Sequence, residues 1–383
     1  MIPYGRQDIS EEDIAAVEAV LRSDFLTQGP AVPRFEAAVA AQAGAAHGVA
    51  VNSATSALHV AVAALGLGPG DMLWTSPITF VASANCARYC GAEADFVDIE
   101  PGTINMCPEA LARKLDRAEA EGRLPKVIVP VHMAGQSPRM AEIAALARPR
   151  GIRIVEDASH AIGATYDGRP VGACPHSDVT VFSFHPVKIV TTAEGGMALT
   201  NDADLAARME RLRSHGITRD PALMTHAPDG PWYYQQLELG WNYRMTELQA
   251  ALGLSQLGRL DAFVSRRNAL AARYDALLAD LPLARPEHLP GARSAFHLYI
   301  VRLDNPARHR AVFEALRADG IGVNLHYIPV HLQPYWRARG FAPGDFPAAE
   351  DYYARAISLP LYPGLADAEQ DYVAERLAAA LAV

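Results

Sequence analysis

Lys188 is the residue whose type and surroundings most clearly suggest chemistry. It lies in FSFHPVKIVTTAEGG (182–196), and no carboxylate occurs within five residues on either side of it. The stretch follows an apolar, β-branched run and precedes Thr-Thr and Gly-Gly pairs, which predicts a position near the protein interior. A solvated loop lysine is the ordinary alternative. Because a desolvated lysine loses its proton readily and attacks carbonyl compounds, the sequence predicts a carbonyl ligand here.

A carboxylate in IRIVEDASHAIGA is the second chemical feature. The short β-branched strand ends in Glu156-Asp157, and a buried carboxylate at such a point needs a cationic or hydrogen-bonding partner. A pyridinium nitrogen would serve as that partner. The alternative is an aspartate that caps the next helix. His160, three residues later, could lie beside the same ligand, although a lone loop histidine is more often structural.

An anion site is predicted in NSATSALHV, where small residues open a helix. Free amides at a helix N-terminus, with the nearby hydroxyls of Thr55 and Ser56, suit a phosphate, whereas plain N-capping is the alternative. An aldehyde that carries a phosphate would be held covalently by Lys188 and electrostatically by Ser183 and this helix start. That ligand is pyridoxal 5'-phosphate. Phe80, in TFVASAN, could stack on its ring, although core packing is the competing interpretation.

The elements that position these residues are predicted from residue 48 onward. Short apolar runs alternate with amphipathic helical stretches, which is typical of a parallel sheet covered by helices. The strand candidates are GVAV, MLWTS, ADFVDI, KVIVPV, IRIVED, VTVFSF and GMALT. The sequence therefore predicts a large, mainly parallel, seven-stranded α/β domain. The chemical features follow strand ends, where open α/β sheets bind ligands.

A second, smaller α+β domain is predicted after a polar loop. We expect the large domain, with an N-terminal helix, at residues 1–243 and the rest at 244–383. A long bridging helix is predicted from Arg244 to about Leu278. FHLYIVRL and IGVNLHYIPVHL are strand candidates, and further helices are expected near 307–319, 347–357 and 367–381.

Composition excludes several classes of function. The net charge of −9 and the scattered basic residues argue against nucleic acid or an anionic membrane as partner. No run is long and apolar enough to span a bilayer, and the acidic N-terminus is unlike a signal peptide. Four cysteines without CxxC spacing favour a reduced, cytoplasmic setting. Cys86 and Cys90 could form half of a metal site, but packed small residues are favoured, so we expect no metal.

Together these motifs resemble one family. SATSALH, GPGD, TFVASAN, VEDASHAIGA, FSFHPVK with TTAEGG, and GWNYRMTELQAALGLSQL, in this order and spacing, are similar to the DegT/DnrJ/EryC1/StrS sugar aminotransferases. The resemblance extends from about Ile2 to the C-terminus. It implies the type I PLP-dependent, aspartate-aminotransferase-like fold and amino transfer to keto sugars on nucleotide carriers. GDMLW and KIVTTAEGG depart from the usual family pattern without touching a cofactor residue.

The resemblance also implies roles for individual residues. Lys188 would bind the cofactor aldehyde covalently, and Asp157 would pair with the ring nitrogen. His160 would lie beside the cofactor, Phe80 would stack on it, and the phosphate would be held by Thr55, Ser56 and Ser183. Asn242 matches a residue that relatives contribute from a neighbouring subunit, which implies a homodimer with shared active sites.

Four sequence segments narrow the choice of substrate: EDASHA, SFHPVK, DGPWYYQQLELGWNYRMTE and IGVNLHYIPVHLQPYW. They most resemble the family branch that forms UDP-4-amino-4,6-dideoxy-N-acetyl-β-L-altrosamine for pseudaminic acid. This resemblance implies L-glutamate as donor and a UDP-4-keto-6-deoxy sugar as acceptor. Arg244, His326 and Tyr327 are the candidate sugar-nucleotide contacts. Three alternatives stay open: another UDP- or dTDP-4-keto-6-deoxy sugar, a non-catalytic PLP-binding regulatory protein, and a dehydratase. Relatives that dehydrate carry His in place of the lysine.

Overall fold

A computed structural model describes residues 1–382. Its helices are α1 (Glu11–Leu21), α2 (Ala31–Ala43), α3 (Ala54–Ala64), α4 (Ala82–Tyr89), α5 (Pro108–Ala120), α6 (Met140–Ala147), α7 (Ala203–Arg213), α8 (Glu247–Leu257), α9 (Leu260–Leu277), α10 (His309–Ala318), α11 (Pro334–Arg337), α12 (Pro347–Arg355) and α13 (Asp367–Ala382). Its strands are β1 (Ile2–Pro3), β2 (His47–Val51), β3 (Met72–Thr75), β4 (Glu93–Phe96), β5 (Val127–Val129), β6 (Arg153–Asp157), β7 (Thr165–Tyr166), β8 (Arg169–Pro170), β9 (Val179–Ser183), β10 (Gly196–Thr200), β11 (Ile217–Thr218), β12 (Gln235–Gln236), β13 (Leu283–Ala284), β14 (Ala292–Arg293), β15 (Tyr299–Leu303), β16 (Ile321–Gly322) and β17 (Ala356–Leu359).

The large sheet has seven strands in the order β2-β10-β9-β6-β5-β3-β4. The pairs from β9 to β4 are parallel, whereas β10 is antiparallel to both β9 and β2. Strands β5, β9 and β10 are buried along their whole length, as expected for a sheet covered by helices on both faces. The prediction of a large, mainly parallel, seven-stranded sheet is confirmed.

The start of α3 is fixed against the edge of this sheet. Ser53 caps the helix, since its hydroxyl accepts a hydrogen bond from the backbone N–H of Ser56. Gly196, the first residue of β10, pairs with Val51 and Ser183 on its two neighbouring strands. A Cβ atom at Gly196 would lie 2.6 Å from the backbone of Ser53 and Ala54. The absence of a Cβ atom at Gly196 therefore allows the first residue of β10 to lie against the start of α3.

The predicted bridging helix from Arg244 to about Leu278 is wrong, because the structure has two helices there. Helix α8 ends before Gly258, and α9 begins at Leu260. Helix α8 packs against α1 and α2. Its first residue, Glu247, is buried and accepts hydrogen bonds from the backbone N–H groups of Ala31 (2.6 Å) and Val32 (3.2 Å). This carboxylate replaces the side-chain cap that α2 lacks.

The C-terminal part has its own three-stranded antiparallel sheet, β13-β15-β17. Helices α10, α12 and α13 confirm the three helices predicted there. The strand predicted in IGVNLHYIPVHL is wrong beyond β16, which pairs in parallel with β1. The segment after it turns to border the large sheet instead. The division at residues 243 and 244 remains a proposal, because β1 and α8 connect the two parts.

No helix in residues 1–382 is both long and apolar enough to cross a membrane. The same residues contain no group of three or more His, Cys, Asp or Glu side chains placed to hold a metal ion.

Candidate active site

A cavity of about 580 Å³ lies at the carboxyl ends of β6 and β9. It is lined by residues of the large sheet, of the α3 start and of the segment after β16. Eight of the eleven residues predicted from the sequence line this cavity: Thr55, Phe80, Asp157, His160, Ser183, Lys188, His326 and Tyr327. Ser56, Asn242 and Arg244 do not. Because parallel strands end at one edge of a sheet, segments far apart in sequence converge here.

Lys188 follows β9, and its amine lies inside the cavity. The Nζ atom is 3.5 Å from Nε2 of His297. Burial lowers the pKa of Lys188 from its ordinary 10.5 to about 7, whereas the negative charge of Asp157 acts in the opposite direction. Desolvation therefore outweighs the nearby carboxylate. At neutral pH a large share of the molecules carries this lysine as a free amine, which is the nucleophilic and basic form.

Asp157 is the last residue of β6, and its side chain is held by hydroxyl groups. One carboxylate oxygen accepts from Ser83 Oγ at 2.5 Å, and the other accepts from Ser159 Oγ at 2.6 Å and from the Ser159 N–H at 3.2 Å. The residue is 5% exposed. Because these donors fix its orientation, the carboxylate can accept a hydrogen bond from a cationic group of a ligand in the cavity.

Thr55, in the first turn of α3, and Ser183, at the end of β9, line the cavity with hydroxyl groups. The helix start adds backbone N–H groups and the positive end of the helix dipole. Ser56 differs from its predicted place. Its hydroxyl donates to Oδ1 of Asn52 at 2.6 Å and lies 3.0 Å from the Ser53 hydroxyl, so it belongs to the cap of α3.

Three buried histidines surround the lysine. His160 and His326 were predicted as site residues, and His297 was not. Burial lowers the pKa of His326 to about 3 and holds the pKa values of His160 and His297 well below 6.5; the positive charge of Lys188 acts in the same direction. All three imidazoles are therefore neutral at pH 7. The only sequence signal for His297 was a polar residue in the apolar run FHLYIVRL.

The mouth of the cavity carries aromatic side chains. The Phe80 ring is 58% exposed and lies 6.2 Å from the Tyr327 ring. The Tyr327 hydroxyl is 3.2 Å from Nε2 of His160. Tyr4, which sequence reasoning missed, places its ring 5.2 Å from that of His326. An exposed aromatic beside a cavity is available to a flat ligand, unlike the core residue that was the alternative interpretation of Phe80.

Asn242 and Arg244 lie outside this cavity. Asn242 is exposed and forms an isolated antiparallel bridge with Ser214. The guanidinium of Arg244 donates to the Ser214 hydroxyl at 3.0 Å and borders a separate cavity of about 530 Å³. In this arrangement neither residue lines the Lys188 cavity of its own chain.

The residues of the cavity fit pyridoxal 5'-phosphate by chemistry. An amine of low pKa matches the aldehyde, and a buried, oriented carboxylate matches the ring nitrogen. Hydroxyl groups at a helix start match the phosphate. The Nδ1 atoms of His160 and His297 are buried and have no hydrogen-bond partner within residues 1–382. Buried polar atoms without partners are uncommon in folded proteins.

Comparison with known proteins agrees with this chemistry. Residues 7–378 match the sequence model described as the DegT/DnrJ/EryC1/StrS aminotransferase family. The chain is 40% identical over 380 residues to the spore coat polysaccharide biosynthesis protein SpsC of Bacillus subtilis (strain 168), which covers 98% of this chain and 95% of SpsC.

Two solved structures are similar along the whole chain. One is the putative sugar aminotransferase Spr1654 from Streptococcus pneumoniae in its PMP form, with 30% identity, a TM-score of 0.91 and coverage of 100% of this chain and 99% of that one. The other is Helicobacter pylori PseC, an aminotransferase involved in the biosynthesis of pseudoaminic acid, with the same identity, TM-score and coverage. The predicted type I PLP-dependent fold is confirmed.

Proposed function

The chain belongs to the DegT/DnrJ/EryC1/StrS aminotransferase family, and on this premise we propose its substrates and the roles of its residues. Its cofactor is pyridoxal 5'-phosphate, and it is an aminotransferase. The proposed reaction moves an amino group from L-glutamate to C4 of a UDP-linked 4-keto-6-deoxy-N-acetylhexosamine. The product would be UDP-4-amino-4,6-dideoxy-N-acetyl-β-L-altrosamine, an intermediate of pseudaminic acid biosynthesis.

The observation that carries the proposal is that the Lys188 amine and the Asp157 carboxylate share one cavity with the start of α3. Lys188 would hold the cofactor aldehyde, and Asp157 would hold the ring nitrogen. Thr55, Ser183 and the α3 amides would hold the phosphate, with Phe80 against the ring and His160 beside it. When bound, the cofactor supplies an electron sink for the carbanion that forms at the donor Cα.

Lys188 is the proposed acid–base residue. Its amine would take the proton from Cα of the donor and deliver it to C4' of the cofactor. In the second half of the reaction it would take a proton from C4' and deliver it to C4 of the acceptor sugar. A pKa of about 7 suits both directions, because a group that titrates near the operating pH gives and takes protons with similar ease. Asp157 would keep a proton on the ring nitrogen.

The four cysteines in the described residues are free, which supports a reducing, cytoplasmic setting.

The acceptor is proposed from two lines of support. The sequence segments that resemble the pseudaminic acid branch agree with the involvement of PseC in the biosynthesis of pseudoaminic acid. His326 and Tyr327 border the cavity mouth, where a sugar would approach, and are the proposed substrate contacts. A second acceptor class, another UDP- or dTDP-4-keto-6-deoxy sugar, is favoured by the 40% identity with SpsC, a protein of spore coat polysaccharide biosynthesis.

A homodimer is part of the proposal. Asn242 is exposed on its own chain and lies away from the Lys188 cavity, as expected if it serves a neighbouring site. Several large apolar side chains are also exposed, either shortly after α1 or in the segment that precedes Asn242: Phe25, Leu26, Leu223, Trp232, Tyr234 and Leu239. Exposed apolar surface of this kind is typical of an interaction site. Arg244 would then reach a substrate phosphate in the partner's site.

The visible spectrum of the cofactor-loaded protein tests the reaction. We expect L-glutamate to bleach the absorbance of the bound cofactor, and a UDP-4-keto-6-deoxy-N-acetylhexosamine to restore it. The dTDP-linked sugar is the matched comparison for the nucleotide. Restoration by the dTDP sugar alone would transfer the proposal to the second acceptor class. A bound cofactor that ignores glutamate would favour a different donor or a non-catalytic, PLP-binding regulatory role.

A further inference from the structure

His297 is a buried histidine beside the amine of Lys188 that no motif assigned to the site. Its Nε2 atom lies 3.5 Å from Lys188 Nζ, and its ring lies 4.4 Å from the ring of His160. The residue is 4% exposed. In sequence it is 109 residues from Lys188, so only the fold brings the two side chains together.

The backbone that carries His297 is fixed on two sides. The buried guanidinium of Arg267 donates to the carbonyl oxygens of Phe296 (3.2 Å), His297 (3.3 Å) and Leu361 (2.9 Å). Gly135, at φ +106°, passes close on the other side, where a Cβ atom would lie 2.9 Å from the N atom of His297. The main-chain position of His297 is therefore set by contacts that do not involve Lys188.

The charges around the pair keep the imidazole neutral. The titratable or charged groups that act on Lys188 or His297 are Asp157, His160, His326 and Arg267. Other titratable groups that line the cavity are Tyr4, His185, Glu194 and Tyr327. Arg267 is a cation and Lys188 is one when it is protonated, so protonation of His297 beside them would add a further positive charge to one buried region. A neutral imidazole offers one nitrogen as an acceptor and carries its proton on the other.

We propose that His297 is a positioning residue for Lys188, with its Nε2 atom accepting a hydrogen bond from an N–H of Nζ. Both the ammonium and the free amine have such an N–H, so the contact survives either protonation state. One N–H direction is then fixed, and the amine lone pair is left to face the cavity. No proton leaves Nζ in this contact. The role rests on the proposed function only in taking Lys188 as the reacting amine.

The proposal predicts a shift in the titration of Lys188. A hydrogen bond to the charged form favours that form, so removing the acceptor should lower the lysine pKa further. The test measures how fast acetic anhydride acetylates Lys188 in the full-length, cofactor-free protein as a function of pH, by peptide mass spectrometry. In His297→Phe we expect the inflection to fall by about one pH unit from its value in the unmutated protein.

Two further variants separate positioning from packing. His297→Gln keeps an acceptor oxygen, so its inflection should lie close to that of the unmutated protein. Part of the turnover that His297→Phe loses should also be retained. His288→Phe replaces an exposed histidine 5.5 Å from the Phe296 ring and should leave the inflection unchanged. In His297→Phe we expect kcat to fall by about tenfold or more, with little change in KM for glutamate. If His297→Phe does not fold, His297→Leu is titrated in its place and judged in the same way.

An inflection in His297→Phe equal to that of the unmutated protein would overturn the proposal. So would a shift that His297→Gln does not reduce, because a packing defect alone would then explain it. The titration needs neither cofactor nor turnover. A loaded protein that ignores glutamate would remove the proposed function, and the titration of Lys188 would still decide the role of His297.

Discussion

Glu156 and Asp157 are consecutive residues of β6, and their carboxylates point to opposite faces of the sheet. Asp157 lines the cavity, whereas Glu156 approaches Nε2 of buried His132 at 2.8 Å and accepts from Thr180 Oγ1 at 3.0 Å. The alternation of side chains along a strand produces this separation. Two adjacent acids therefore have different consequences when replaced.

Asp157→Asn should reduce kcat by about 10² or more, because a neutral amide cannot keep a proton on a cationic ring nitrogen. Glu156→Gln is the matched control and should keep most of the turnover. It should instead lower the free energy of unfolding by about 1–3 kcal/mol, since it weakens a buried hydrogen-bonded pair. Steady-state kinetics and urea unfolding of both variants check this. Equal turnover in the two variants would contradict the assignment of Asp157.

Lys188→Ala and Lys188→Arg should both abolish turnover, because neither side chain supplies a free amine at neutral pH. Lys114→Arg is the control, since Lys114 is another lysine whose pKa is lowered by burial, but it lies outside the cavity beside Asp95. Amino transfer from glutamate, followed by product chromatography, is the measurement. Appreciable activity in either Lys188 variant would remove Lys188 from the reaction.

The stability of the cofactor-free protein should depend on pH through Lys188. Its pKa is about 7 in the fold and about 10.4 in the unfolded chain, so above pH 7 the unfolded state binds more protons. Burial of the charged Lys188 ammonium destabilises the fold below pH 7. This cost disappears as the pH rises, because the buried amine loses its proton. We expect the free energy of unfolding to rise by about 2 kcal/mol between pH 7 and 9 relative to Lys188→Met. Parallel curves for the two proteins would contradict the lowered pKa.

Glu247→Ala should destabilise the protein by about 1–3 kcal/mol, because the N-terminus of α2 loses the acceptor of two backbone N–H groups. Glu18→Gln is the matched control. Its carboxylate pairs with Arg22 on the exposed face of α1, and the expected cost is below about 1 kcal/mol. Urea unfolding followed by circular dichroism compares the two. A similar cost for both would mean that the cap contributes little.

Mixed dimers test whether the active site is shared. Lys188→Ala and Asn242→Ala should each have low activity alone. After the two are unfolded and refolded together, a hybrid dimer would hold one intact site, with its lysine from one chain and its asparagine from the other. Random pairing predicts recovery of about a quarter of the original activity. Recovery that stays at the sum of the separate variants would contradict the contribution of Asn242 across subunits.

The sequence by itself determined the features that depend on local pattern. The periodicity of apolar residues predicted all seven strands of the large sheet, and the ends of three of them supplied Thr55, Asp157 and Ser183 with Lys188 shortly after. Side-chain type and position relative to a strand end were sufficient to predict that these residues line one cavity. The reason is that parallel strands bring their carboxyl ends to the same edge of the sheet. The family resemblance narrowed the chemistry further.

Only the tertiary structure decided which side chains meet across long separations. His297 reaches Lys188 from 109 residues away, and Glu247 caps a helix more than 200 residues earlier in the chain. The Ser56 hydroxyl belongs to the cap of α3, and the predicted bridging helix is two helices, α8 and α9. Asn242 is exposed and lies outside the Lys188 cavity. None of these outcomes has a periodic signature, because each depends on packing and hydrogen bonds between segments whose relative positions are fixed only when the whole chain folds.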